Sequence, residues 1–318
     1  MDMTLDSEMK WLTGVVIGFL VIASVVGSIL ARRVQSDAAR ATVANLNART
    51  RTWWTMTAVF MLALATGGIG SIVLFGVTSF LALREFLTLA PTRLGDHRAL
   101  AWAFFLVTPL QYILLGIEWY GLYTIFIPVY VFLLLPIRAA AAGETENFLE
   151  RTAKIQWGLM VCVYCCSHAP ALLTLLKIPG YEGENGKLLY FFVLICELSD
   201  VLQYVFGKLF GKHPVAPSVS PKKTWEGFVG GVAATVAVGA SLWWATPFSP
   251  WQAAGMSLAI CLMGFGGGLV MSAIKRDRGV KDWGTTIRGH GGILDRIDSL
   301  CFAAPVFFHL TRYYFVAG

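Results

Sequence analysis

The feature that most constrains this chain is an alternation of long apolar stretches with short charged loops. A helix needs about 20 residues to cross a hydrocarbon core of roughly 30 Å, and the sequence supplies such stretches repeatedly. Hydrophobic residues make up 56% of the 318 residues and charged residues only 14%, whereas an ordinary soluble domain carries about 25% charged residues. The sequence therefore predicts an all-α, polytopic transmembrane helical bundle.

Hydropathy predicts about ten spans. They lie near residues 11–30, 53–69, 71–89, 100–116, 119–135, 155–176, 188–206, 228–245, 251–271 and 299–315. The segment Gly67–Gly70 is either a tight turn or a close helix contact. We divide the chain into an N-terminal transmembrane region, residues 1–187, and a C-terminal transmembrane catalytic region, residues 188–318, where polar residues enter the spans.

The basic residues are distributed over short loops between spans, although the net charge is +6. Nucleic-acid binding would gather them on one soluble face, so anionic lipid headgroups and nucleotide phosphates are the better partners. With about ten spans, every strongly basic loop falls on one side of the membrane, which predicts that these loops are cytoplasmic.

The segment from Ser272 to Asp298 carries the densest chemical pattern. Its glycines at 289, 291 and 292 allow backbone amides to form a concave anion site. Asp295 and Asp298 are three residues apart at the start of the last span, so they share a helix face. Cations suited to phosphate oxygens surround them: Lys275, Arg276, Arg278, Lys281, Arg288 and Arg296. Carboxylates and cations beside a phosphate site are what a magnesium–nucleotide complex requires.

A positive-inside loop with a flexible glycine turn would also explain the basic residues of this segment. It would not explain Asp282 next to Lys281, nor the two aspartates that enter a span, where ionisable groups are costly and usually functional.

A second cluster runs from Ser220 to Gly227. Ser220 followed by Pro221 resembles a helix start, and a helix N-terminus with Lys222 and Lys223 is suited to anions. The alternative is an interfacial Lys–Trp anchor. Upstream, Glu197 and Asp200 lie within a span and are therefore candidate functional carboxylates.

The string Ser272–Asp298 resembles the signature of phosphatidate cytidylyltransferases, also called CDP-diacylglycerol synthases. It matches as S-x-x-K-R from Ser272, K-D at Lys281, H-G-G at His290 and D-R-x-D at Asp295. The segment 200–231 resembles the family's preceding stretch, so the likeness covers about the last third of the chain. Arg288 stands where the family usually has proline, and residues 200–204 differ from the small-residue form of many bacterial members.

The resemblance implies transfer of a cytidylyl group from CTP to phosphatidate, with release of pyrophosphate and with Mg²⁺ as cofactor. It implies metal binding by Asp282, Asp295 and Asp298, with Asp200 as a further candidate. Catalytic contacts to the triphosphate would come from Lys275, Arg276, Lys281, His290 and Arg296. The expected substrate-binding residues are Ser220, Lys222, Lys223, Thr224, Ser272, Gly289, Gly291 and Gly292.

The expected location is the bacterial inner (cytoplasmic) membrane, with the site facing the cytoplasm, and a homodimer is compatible with the sequence. Two alternatives stay open. One is another lipid phosphotransferase or nucleotidyltransferase acting on a polyprenol or lipid alcohol. The other is an ion-coupled membrane transporter that uses Glu197 and Asp200 as ion ligands. By contrast, Glu85 lies near a span end, where we expect only a structural role.

Overall fold

The computed structural model describes residues 7–34, 36–90, 93–287 and 291–316. Ten helices account for most of this part of the chain, which confirms the all-α class. They are α1 (Ser7–Arg33), α2 (Asp37–Ala65), α3 (Gly67–Thr88), α4 (Leu94–Gly116), α5 (Tyr120–Ala140), α6 (Phe148–Thr174), α7 (Asn185–Phe210), α8 (Trp225–Ser241), α9 (Pro250–Asp277) and α10 (Leu294–Phe315). The helix α4 begins with a 3₁₀ turn, and α4, α5 and α6 each contain a π-helical segment.

Seven helices of the described residues are long and apolar enough to cross a membrane, so the prediction of about ten spans is wrong. The three that fall short are α2, α8 and α10. The first half of α2 is polar and basic, α8 has only 17 residues, and α10 begins with charged residues. A hydropathy reading counts their apolar stretches as full spans, although helix length and charge argue against it.

Glycine allows α7 and α8 to approach each other backbone to backbone. A Cβ atom on Gly227 would lie 2.8 Å from the Gln203 carbonyl oxygen, and one on Gly231 would lie 2.5 Å from the Gln203 Cα. Only a residue without a side chain permits this contact. The close approach brings the polar end of α7 next to the segment that enters α8.

A short antiparallel hairpin connects α7 to α8. Its strands are β1 (Pro214–Ala216) and β2 (Ser220–Thr224), with Pro214 opposite Thr224. The prediction that a helix starts at Ser220 is therefore wrong. The helix starts at Trp225, because the extended Thr224 accepts a 3.2 Å hydrogen bond from the Gly227 N–H and acts as the N-cap.

The glycine-rich segment at residue 67 is a turn. Thr66 ends α2, and Gly67 has a φ of +73°, a conformation that side-chain-bearing residues rarely adopt. The chain therefore reverses between α2 and α3.

Candidate active site

A cavity of about 240 Å³ lies where the hairpin meets α7, α8, α9 and α10. Each element contributes residues to its wall, so segments that are distant in the sequence share one polar volume. The lining residues are Asp200, Gln203, Tyr204, Lys222, Lys223, Thr224, Phe228, Phe265, Gly268, Ser272, Asp298 and Ser299. Both predicted clusters are represented, the first by Ser272 and Asp298 and the second by Lys222 to Thr224.

Two carboxylates meet at Ser299. The Asp200 Oδ2 accepts a 2.8 Å hydrogen bond from the Ser299 hydroxyl, and the Asp298 Oδ1 accepts a 2.8 Å bond from the Ser299 backbone N–H. Two like charges close together favour the binding of a cation or a proton. Mg²⁺ is typically held by one or two carboxylates together with substrate phosphates and water, so this pair fits a divalent cation.

Lys223 extends from β2 into the same cavity. Its Nζ lies 4.7 Å from the centroid of the Phe265 ring, a cation–π distance, and 3.5 Å from the Phe265 carbonyl oxygen. A Cβ on Gly268 would lie 2.7 Å from this Nζ, so the glycine leaves room for the lysine. Burial lowers the pKa of Lys223, and the negative charges of Asp200 and Asp298 oppose that effect.

Asp295 is held in a different way from Asp298. Its carboxylate forms a buried 2.7 Å ion pair with Lys275 and accepts hydrogen bonds from the Trp283 N–H at 2.8 Å and the Gly292 N–H at 2.9 Å. These contacts tie the loop after α9 to the start of α10. Lys275 and Asp295 therefore order this loop, and neither lines the cavity.

Glu85 on α3 anchors the same loop from the N-terminal region. Its buried carboxylate accepts hydrogen bonds from the Thr286 hydroxyl at 2.7 Å, the Ile293 N–H at 3.0 Å and the Leu294 N–H at 2.9 Å. The last two donors are Ile293, the N-cap residue of α10, and Leu294, its first residue, where an anion is favourable. A Cβ on Gly292 would lie 2.3 Å from the Glu85 Oε2, so a side chain there would displace this carboxylate from its hydrogen bonds.

The remaining predicted residues lie outside the cavity or outside the described residues. Arg276 is exposed and donates to the carbonyl oxygens of Val219 and Val280, at 3.3 and 2.9 Å. Four further described residues do not line this cavity: Ser220, Lys281, Asp282 and Arg296; of these, Lys281 and Asp282 are exposed. Gly291 has a φ of +85° and packs against Asp295. Gly289 and His290 lie outside the described residues.

Sequence reasoning missed Ser299 and Gly268, and it expected a structural role for Glu85 without identifying the loop that Glu85 anchors. A signal existed for the first two, because Ser299 follows Asp298 directly and Gly268 ends the run Gly266–Gly268 inside an apolar span. Glu85 had no such signal, since its partners are some 200 residues away in the sequence. Within the described residues no group of three or more His, Cys, Asp or Glu side chains could hold a metal ion, so any cation here would rest on the Asp200–Asp298 pair and a bound substrate.

Comparison with known proteins adds independent findings. The sequence pattern of the cytidylyltransferase family matches residues 47–314. An uncharacterised protein of Escherichia coli K12, YnbB, is 42% identical over 270 residues, which is 83% of this chain and 87% of that protein. A phosphatidate cytidylyltransferase of Staphylococcus aureus COL is 42% identical over 130 residues, 40% of this chain and 50% of that protein. One from Mycobacterium leprae is 35% identical over 170 residues, 53% of each chain. The match thus spans about half the length of these two enzymes.

Proposed function

The chain belongs to the cytidylyltransferase family, and from that premise we propose that it transfers a cytidylyl group from CTP to phosphatidate, giving CDP-diacylglycerol and pyrophosphate. The observation that carries the proposal is the cavity in which Lys222 and Lys223 face Asp200 and Asp298. The named relatives support it, because two of them are phosphatidate cytidylyltransferases whose similarity includes a large part of this chain.

The proposed reaction is an in-line displacement at phosphorus. A phosphate oxygen of phosphatidate attacks the α-phosphorus of CTP, the new P–O bond forms, and the bond from the α-phosphorus to the bridging oxygen breaks to release pyrophosphate. A phosphomonoester has its second pKa near about 6, by analogy with phosphorylated side chains, so the nucleophile is largely ionised at neutral pH. The protein therefore needs to align two anions and neutralise their charge rather than supply a strong base.

Asp200 and Asp298 would hold Mg²⁺ together with phosphate oxygens of CTP. When bound, the ion would neutralise charge on the triphosphate and on the leaving pyrophosphate. Mg²⁺ keeps several ligands from water or substrate, so two protein carboxylates suffice. Asp282 and Asp295 remain candidates from the sequence, but Asp295 would order the loop through its ion pair with Lys275.

The lysines of β2 would bind the substrate phosphates. Lys223, inside the cavity and beside both carboxylates, is placed to contact a phosphate that also touches the cation. Lys222 is exposed at the cavity wall and would meet the second anion. Phe228, Phe265 and Tyr204 add apolar surface to the same wall, which suits a substrate that carries acyl chains.

The protein is an integral membrane protein with several long apolar helices. We propose that it resides in the bacterial inner membrane with this cavity on the cytoplasmic side, where CTP is made. The hairpin and the loop after α9 lie on one side, because Arg276 bonds to Val219. Single cysteines placed at Ser218 and Thr285 should resist an impermeant reagent added outside intact cells. Their labelling from outside would contradict the orientation.

The decisive assay incubates purified protein with CTP labelled in the cytidine, phosphatidate and Mg²⁺. We expect a lipid-soluble cytidine product and one pyrophosphate per product, and loss of both when EDTA removes the divalent ion. The Asp298→Asn variant should be inactive, whereas Asp277→Asn, an exposed carboxylate on α9 outside the cavity, should remain active. Release of a nucleoside diphosphate or monophosphate, or no lipid product, would refute the proposal.

A further inference from the structure

A second cavity, of about 310 Å³, lies between the C-terminal end of α1 and the first half of α2. It is separate from the candidate active site in sequence and shares no lining residue with it. Its walls come from Ala31, Arg40, Val43, Ala44, Asn47 and Arg51. Most of this region, including α1 and Arg40, precedes the part of the chain that matches the family pattern.

Helical spacing places the polar residues of this cavity on one face of α2. Arg40, Ala44, Asn47 and Arg51 follow one another at intervals of four, three and four residues, which is one stripe of an α-helix. Arg49 is exposed and belongs to another side of α2, because two residues correspond to a rotation of about 200°. The two arginines of the stripe are exposed and line one volume, about 16 Å apart along the helix axis, while their neighbour does not line it.

Two hydrogen bonds fix α2 against α1 beside the cavity. The Asn47 Nδ2 donates to the Gly27 carbonyl oxygen at 3.3 Å, and the Trp54 Nε1 donates to the Ser24 hydroxyl at 3.0 Å. A Cβ on Gly27 would lie 2.0 Å from the Asn47 Oδ1, so glycine permits this crossing. The cavity is therefore a built feature of the helix pair.

The length of α1 indicates that the cavity lies near the depth of lipid headgroups. The 27 residues of α1 extend over about 40 Å, which exceeds a hydrocarbon core of roughly 30 Å. Ala31 is two residues from the end of α1, so this cavity falls where the helix leaves the acyl region. Apolar side chains of α1 are exposed on the two flanks of the cavity face, at Val21 and Leu30, which suits contact with acyl chains.

The charge of the cavity is neutralised only in part by ion pairs of the described residues. Arg40 has an exposed partner, Asp37, at 3.8 Å, and the ion pairs of the described residues include none with Arg51. Basic loops at membrane edges often serve only to set orientation. That role requires neither a cavity nor two arginines on one helical stripe with an amide between them.

We propose that this cavity binds the headgroup of an anionic phospholipid, with Arg40 and Arg51 flanking the phosphate from the two ends of the cavity and the acyl chains lying along α1. Arginine is suited to phosphate because its guanidinium presents two parallel N–H donors. The site is distinct from the candidate active site and takes a lipid whether or not that lipid reacts.

The test is native mass spectrometry of the full-length protein in neutral detergent, titrated with short-chain phosphatidylglycerol. The headgroup of phosphatidylglycerol is a phosphodiester, which has no second ionisation. This lipid therefore cannot act as the phosphomonoester nucleophile of the proposed reaction. We expect the Arg40→Gln/Arg51→Gln variant to bind this lipid at least tenfold more weakly than wild type, and Arg49→Gln to bind it as wild type does. Phosphatidylcholine and inorganic phosphate should not displace the lipid. Equal melting temperatures of the variants establish that the fold is retained, and the single variants provide the same comparison if the double variant does not fold.

Unchanged affinity in the double variant would overturn the proposal. An equal loss in Arg49→Gln would overturn it too, because the effect would then follow net charge rather than the cavity. Displacement by inorganic phosphate would assign the site to a free anion, and equal binding of phosphatidylcholine would assign it to apolar contact alone; either result refutes a site for an anionic lipid.

Discussion

Asp295 and Asp298 stand one helical turn apart on α10 and are used in opposite ways. Asp295 is buried and paired with Lys275, and two backbone N–H groups satisfy its carboxylate. Asp298 lies at the cavity wall beside a second carboxylate, Asp200, with the Ser299 residue between them. The comparison teaches that a carboxylate whose contacts are complete holds the fold, whereas a carboxylate set next to another one is available to a ligand.

We expect the largest effect on turnover from changes to Asp200 and Asp298, the two carboxylates of the cavity. Asp298→Asn and Asp200→Asn each remove an anionic ligand for a divalent ion, so we expect turnover to fall at least about 100-fold. The fold should be retained, because each change removes one of two like charges. Initial rates at saturating Mg²⁺, together with thermal melting, measure both quantities. The exposed Asp277→Asn is the matched control; turnover above one tenth of wild type in both cavity variants would break the comparison.

The main effect of Asp295→Asn should instead be a loss of stability. It leaves Lys275 buried without its partner, and breaking a buried ion pair in this way costs about 3–5 kcal/mol. The Lys275→Met/Asp295→Asn double variant removes both charges and should recover part of that loss. A double-mutant cycle on melting temperature and activity measures the coupling. If Asp295→Asn melts like wild type and is merely inactive, Asp295 is a ligand and its assignment to the fold is wrong.

The difference between these two aspartates shows what the sequence could predict and what it could not. The signature from Ser272 to Asp298 singled out a region of which Ser272 and Asp298 line the cavity together with Lys222 and Lys223. Spacing alone placed both aspartates on one helix face, but it could not say that one carboxylate would be satisfied by Lys275. That depends on the path of the loop after α9, which tertiary contacts determine.

The two errors in the fold have similar causes. Ser220 followed by Pro221 is a good helix start in isolation, but pairing between β1 and β2 keeps these residues extended, and Thr224 provides the cap. The span count failed because apolar stretches in α2, α8 and α10 belong to helices that are too short or too charged by composition. The local sequence pattern thus predicted where helices occur better than it predicted where they begin or whether they cross the membrane.

Glu85 extends the comparison to a carboxylate from the other half of the chain. We expect Glu85→Gln to destabilise the protein by about 1–3 kcal/mol, because the amide cannot accept all three hydrogen bonds and loses its charge at the start of α10. Since the loop that it anchors leads to Asp298, kcat should fall several-fold while the KM for CTP changes less. Glu182→Gln, on an exposed loop between α6 and α7, is the control. Wild-type melting and kcat in Glu85→Gln would show that the loop is ordered without it.

The smallest effect concerns the charge that faces the cavity pair. Burial lowers the pKa of Lys223. As the pH rises, Lys223 therefore loses its proton at a lower pH than an ordinary lysine does. If protonated Lys223 binds a substrate phosphate, the alkaline limb of kcat/KM lies below the usual lysine range. Lys223→Arg should move this limb to higher pH, because a guanidinium stays charged, although the larger side chain next to Gly268 lowers the rate at neutral pH. Lys222→Arg changes an exposed lysine of the same strand and should leave the limb in place. Measured pH–rate profiles with the same limb in wild type and Lys223→Arg would show that this lysine does not carry the charge on which activity depends.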